Sequence, residues 1–502
     1  MINFKSKSIR FLVGLMCITL LSFGCDDEPT SSTMGGHMGG DVHEGGHEHE
    51  GGHEGGHEGG HKGGHEGGHE GGQTGGELGG ELGGELGGEL GGMPQEKRYE
   101  EITSDQEHDT MPVISDEEQA AYVAQNQDLT FTLHRGIERP LDENVMLSSW
   151  SVRQAFTLLY PGTSGETKDQ LSAYFGFDSD VATALNQANA LTDLLESRNL
   201  EADEANGLDP VQISVANSIW VQEGLSLLTP YLDLLKRYLD AGVYVLDFAT
   251  ETEEARQTIN GWVEDQTANR IQDLIPEGDL SSALSSVLIN AVYLKAPWMV
   301  AFSENGTEEA PFTLSSGDEV SANMMQLAAT LAYGELDGHQ VVEVPCRGNH
   351  IRALFILPSS TDQLSELEAN LSVERWDALK ATLSPTPVSL KLPKFSFQTG
   401  SINLTSFYEN QGLSSVFTAE AQIDQLIDGQ SLNVSGVMQQ TFIAVDEGGI
   451  EAAAVTAIGV EPSVPPPPEV TLEFNRPFLF AVHDAQTGMI LFFGRLANPT
   501  AE

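Results

Sequence analysis

Residues able to do chemistry fall in three places along this 502-residue chain. The first is a GGHE repeat that spaces histidines through the N-terminal fifth, His47, His53, His57, His61, His65 and His69 among them. Imidazoles at that density can hold Zn, Ni or Cu, but a structural metal site needs ligands fixed in place. Paired glycines fix nothing, so a mobile metal-sequestering array and a plain solvated spacer are the two readings, and the spacer is the usual fate of such tracts. The second place is cysteine: Cys17, Cys25 and Cys346 are all there are, too few for a disulfide framework. Cys346 follows an apolar run at 341–344, where a buried inert thiol is expected in preference to a nucleophile. The third is residues 439–468, QQTFIAVDEGGIEAAAVTAIGVEPSVPPPP. Scattered Ser, His and Asp residues form no catalytic constellation that sequence alone can assemble, so no enzymatic activity and no cofactor are expected.

The third stretch is organised unlike a surface loop, which is normally polar. A buried strand is expected at 441–445, then a turn at Gly448-Gly449, then only small or β-compatible side chains from Ile450 to Gly459, then four prolines. Intrinsic propensity would allow an Ala-rich helix. The glycines at both ends, the β-branched Val455, Thr456 and Ile458, and the lack of an apolar face at helical spacing favour a segment that could serve as a sheet strand.

Residues 446–454, DEGGIEAAA, resemble the hinge of the serpin reactive-centre loop, and FNRPFLF at 474–480 with LFFGR at 491–495 and Asn498-Pro499 resemble that family's C-terminal signature. The similarity extends back to about Gln119. It implies an α+β serpin fold with three mixed β-sheets, eight to nine helices and an exposed reactive-centre loop above the largest sheet. It also implies a mechanism, in which a protease attacks the loop, forms an acyl-enzyme, and is trapped when the cut loop inserts into the main sheet. The expected partner is a serine protease, with papain-like cysteine proteases as secondary targets, and the inhibitor is expected to act as a monomer. A non-inhibitory member of the same fold, acting as a binding protein, is the alternative.

Insertion makes a demand that the sequence can be read against: every second residue faces the interior and must be small or apolar, because an unpaired buried charge is costly. Ile450, Ala452, Ala454 and Thr456 meet it, with Glu451, Ala453 and Val455 on the other face. Counting the family's usual spacing from Glu447 in the hinge of Glu447, Gly449, Ile450, Glu451, Ala452, Ala453 and Ala454 puts the reactive bond between Ser463 and Val464. Counting back from the C-terminal signature gives Pro466, and Val460 and Glu461 are further alternatives. A small residue before the bond suits elastase-like or subtilisin-like proteases, and Glu461 a glutamate-specific one. The resemblance also implies a shutter and breach controlling the sheet, at Ser148, Ser151, Asn290, Gln439 and Trp298. Ser149 stands where proline is usual, Gln439 where histidine is usual, and Ile450 where Thr or Ser is usual.

Around these residues the chain divides into three parts. Residues 1–25 have a basic start, an apolar run too short for a good membrane span, and LSFGC at the end. This reads as a lipoprotein-type signal with Cys25 as the lipidated residue, which would place the protein, exported, on a membrane of the cell envelope or cell surface; ordinary signal cleavage nearby, leaving a secreted protein, or an uncleaved anchor is the alternative. Residues 26–110, with GGHE and then GGEL repeats, have almost nothing to bury and read as a flexible tether. A Gly-rich coil of that length spans about 50 Å. A net charge of −51 excludes nucleic acid as a partner. Residues 111–502 read as the folded domain. Ser115 and Glu118 have capping-box spacing ahead of a helix at 117–133, and helices are also expected at 148–159, after Thr163-Ser164, at 230–239 and at 254–269. Strands are expected at 212–221, 286–296 and 388–397. This mixture without a βα rhythm points to an α+β domain.

Overall fold

The computed structural model describes residues 99–429, 432–451 and 467–501. Contacts divide the chain into residues 1–90 and 91–502, and the described residues all belong to the second unit. Cys25, the tether histidines, Ala452, Ala453, Ala454, Val460, Glu461, Ser463 and Val464 lie outside them.

Two mixed sheets and nine α-helices make up the described residues. The helices are α1 (Asp116–Gly136), α2 (Ser149–Leu159), α3 (Gly165–Phe175), α4 (Val181–Glu196), α5 (Thr229–Leu239), α6 (Thr252–Gln266), α7 (Leu364–Ala369), α8 (Val373–Ala381) and α9 (Thr405–Tyr408). The main sheet runs, edge to edge, β1 (Glu100–Ile102), β4 (Val243–Leu246), β3 (Gln212–Gln222), β5 (Ser286–Pro297), β13 (Gly449–Ile450), β12 (Val437–Val445) and β11 (Phe395–Asn403). The second runs β14 (Val470–Glu473), β10 (Ser384–Pro393), β7 (Glu319–Leu336), β8 (His339–Pro345), β9 (Ile351–Leu357), β15 (Phe478–Asp484), β16 (Ile490–Leu496) and β2 (Val145–Leu147), with β6 (Glu308–Thr313) also on β7.

Three sheets were expected, and hydrogen bonding joins the two smaller ones into this single nine-stranded ladder. The joint is β7, 18 residues long, whose first part pairs with β6 and β10 and whose last part pairs with β8. The strand expected at 388–397 is two strands. Pro393 ends β10, the Lys394 N–H turns aside to the Asn323 carbonyl, and Phe395 begins β11 in the other sheet. The packed chain also begins earlier than the expected boundary at 110, since β1 already lies on the edge of β4.

Local chemistry accounts for the helices that matter to the site. Ser115 closes a full capping box with Glu118, three acidic residues fill the first turn of α1, and His134 and Arg135 the last. In α2 every residue is buried, with the Ser148 hydroxyl accepting from the Ser151 N–H at its start. A fully buried helix fits only at the centre of a domain, and α2 packs against β3 and β5 of the main sheet and β16 of the second.

Candidate functional site

Of the residues read as a hinge, Gly449 and Ile450 form a two-residue strand inside the main sheet. After β12 the chain turns at 446–448, where the Asp446 carboxylate accepts from the Gly448 and Gly449 N–H groups at 2.9 and 3.2 Å. Gly449 then passes so close to β5 that a Cβ would stand 2.5 Å from Pro297 Cα and 2.6 Å from the Ala296 oxygen. Only glycine fits there. Ile450 pairs with Ala296 on β5 and with Val445 on β12, and at 3% exposure it joins the core between the sheets. Glu451 gives its N–H to the Ala444 carbonyl at 2.8 Å and has φ +50, so the chain bends out of extended geometry two residues after it has begun to pair.

Side chains hold the turn from both flanks. Trp298, at the end of β5, donates its indole N–H to the Asp446 carbonyl at 2.9 Å and its backbone N–H to that of Gly448 at 2.8 Å. Glu447 accepts from the Thr307 hydroxyl at 2.7 Å and from Lys394 at 2.9 Å. Burial pushes its carboxyl up, but those two donors outweigh it and hold the group below the ordinary range. The Glu451 carboxylate pairs with Arg270, just beyond α6, and burial nevertheless leaves it raised. Asp446 is raised by burial too, against its two backbone donors.

Farther along, β5 and β12 pair directly in parallel, Leu288 to Asn290 opposite Val437 to Gln439. A buried polar cluster sits over this join. Gln439 donates to the Ser148 carbonyl at 2.9 Å and to the Asn290 side-chain oxygen at 3.0 Å, and accepts from the Ser148 N–H at 3.2 Å. Asn290 donates to Ser151 and to Asn217. Ser149, the residue in place of proline, bonds Thr130 on α1. The same two strands are therefore zipped at one end and wedged apart by the hinge at the other.

Sequence-derived residues thus gather in two groups. Glu447, Gly449, Ile450, Glu451 and Trp298 meet at the wedge, and Ser148, Ser151, Asn290 and Gln439 meet at the join. Sequence reasoning missed Arg270, Thr307, Lys394 and Asn217. Each reaches its partner across dozens of residues or more, and no local pattern marks it. Cys346 is buried, its thiol pushed well up by that burial, and no metal-binding group of His, Cys, Asp and Glu occurs among the described residues.

Comparisons with known proteins bear on the family and the fold. The family model described as serpin (serine protease inhibitor) matches residues 124–499, and the chain belongs to the serpin family. An uncharacterized serpin-like protein of Methanosarcina acetivorans is 32% identical over 75% of this chain and 86% of its own length. The antitrypsin of Bombyx mori is 31% identical over 71% of this chain and 88% of its own. Among solved structures, thyroxine-binding globulin complexed with thyroxine superposes with a TM-score of 0.67, covering 76% of this chain and all of that one. At 24% identity that likeness speaks for the fold.

Proposed function

We propose that this serpin inhibits serine proteases by trapping them as acyl-enzymes while its cleaved loop inserts between β5 and β12. One observation carries the reading: the hinge already occupies the position of a new strand between them, antiparallel to both. Cleavage would free residues 451 onward to continue that strand. Ala452 and Ala454 are small enough for the inward positions, whereas a charge there would be buried unpaired. The uncut state must then be held by a barrier and not by equilibrium. Ser463–Val464 is the proposed reactive bond, with elastase-like or subtilisin-like targets, and Val460 and Glu461 as alternatives. The protein is proposed to act as a monomer on the cell envelope, lipid-anchored at Cys25 and held off the surface by the tether.

Burial of Ile450 where Thr or Ser is usual favours a second reading, a binding protein whose loop stays at this depth. Incubation with pancreatic elastase, subtilisin and a glutamate-specific protease separates the two. The inhibitor yields a complex that survives a denaturing gel, and the mass of the released C-terminal peptide identifies the bond. Ala452→Arg should turn it into a substrate, cleaved without complex. Cleavage of the unaltered chain without any complex would favour the binding protein.

A further inference from the structure

The residues ahead of the family match are packed on the molecule in their own right. The match begins at 124, yet from Tyr99 the chain lies along the free edge of the main sheet. Glu100 stands opposite Val245 and Ile102 opposite Val243. Tyr99 sets its ring edge-on to Trp220 and Tyr244, with centroids 5.5 and 5.3 Å away. Gly242 makes room, since a Cβ there would meet the Ile102 carbonyl oxygen at 2.8 Å. The same segment then crosses two helices. Ser104 donates to Asp233 on α5, and the Asp109 N–H to the Arg237 carbonyl at 2.7 Å. From α4, Asn189 and Asn186 donate to the carbonyls of Asp109 and Val113 at 2.8 and 2.9 Å.

These bonds join parts that loop insertion would move against each other. Full insertion has to unzip Leu288–Asn290 from Val437–Gln439, which separates the block β1-β4-β3-β5 from β12 and β11. Helix α4 packs on α5 and β3 as well as on α1 and α2, and α1 and α2 also pack on β16 of the second sheet. The segment at 99–114 is therefore fastened at one end to the moving edge and at the other to a helix layer that bridges the main sheet and the second sheet. We propose that it is a clamp, resisting widening of the main sheet and setting the lifetime of the uninserted state. This rests on the insertion reading given under Proposed function.

The test uses the full chain. Gly242→Ala drives a methyl into the Ile102 carbonyl and Tyr99→Ala removes the aromatic anchor, while hinge, shutter and loop are untouched. The double variant and the unaltered chain are held below their melting temperature, and the fraction converted to a more heat-stable, inserted form is followed by melting. Exchange of the amides at 100–102 reports release of the clamp. Conversion should be on the order of tenfold faster in the variant, a barrier change of about 1.4 kcal/mol. A Glu100→Cys/Val245→Cys disulfide should make conversion slower oxidised than reduced. A variant whose clamp amides exchange freely but which converts no faster overturns the proposal. So does a disulfide that leaves the rate unchanged, and that comparison decides alone if the double variant keeps its amides protected. Failure of freshly prepared unaltered chain to form any protease complex would instead count against inhibition, with the melting readout still valid for the clamp.

Discussion

Arg270 and Glu451 meet across 181 positions of sequence. The Glu451 side chain is 6% exposed and that of Arg270 51%, so the pair is buried on one side only. Removing the cation leaves the carboxylate in the sheet with the Tyr293 hydroxyl and the Lys295 charge to offset its burial, which costs more than an exposed ion pair and less than a fully buried one, about 1–3 kcal/mol. Arg270→Ala should therefore loosen the hinge, raising amide exchange at Ile450 roughly tenfold or more, and Glu451→Gln in the same chain should restore protection. Unchanged exchange in the single variant would show that the pair does not set the depth of the loop. Gln439 makes a contrasting point. It joins Ser148 to Asn290 through an amide whose oxygen and nitrogen both have partners, and an amide does not titrate in the physiological range.

At the scale of elements, the two-residue strand β13 is the smallest piece and the most telling. Gly449 meets backbone atoms of β5, which cannot swing aside as a side chain could. Gly449→Ala should push the hinge out of the sheet, break the Trp298–Asp446 bond and make the loop more readily cleaved in limited proteolysis. A cleavage rate like that of the unaltered chain would mean the sheet tolerates the methyl. Much at this scale was legible in the sequence, because its causes are local. The Ser115 capping box, the strand at 212–221 and the apolar run that became β5 each announce themselves within a dozen residues. The strand at 441–445 and the turn at Gly448-Gly449 were legible for the same reason. What stayed hidden is set by distant pairing: β1 is three residues whose only strand signal is the β4 edge it lands on, and the union of two sheets depends on the path of β7. Lys394 and Thr307 read as ordinary surface residues until the fold brings them to Glu447.

Across the whole molecule, a buried carboxylate in the second sheet links stability to acid pH. Glu343 on β8 meets His483 and Arg352, each at 3.0 Å. Burial alone would raise its carboxyl, but these partners bring it down to about 2 from the ordinary 4.5. A group depressed in the folded state contributes stability that is fully present above its unfolded pKa and lost as pH falls through the folded one. Stability should thus decline between about pH 4.5 and about pH 2, and Glu343→Gln should flatten that decline in melting curves taken across the range. A variant as steep as the unaltered chain would assign the acid sensitivity elsewhere.

Loop insertion itself is tested most directly without any trapped protease. A metalloprotease such as thermolysin forms no acyl-enzyme, so melting before and after a cut that it makes within the loop isolates the conformational step. If the loop completes the strand that β13 begins, the nicked chain retains its C-terminal fragment and melts well above the intact one. A nicked chain that melts at the same temperature or lower would contradict insertion and leave a serpin fold whose loop goes no deeper than Ile450.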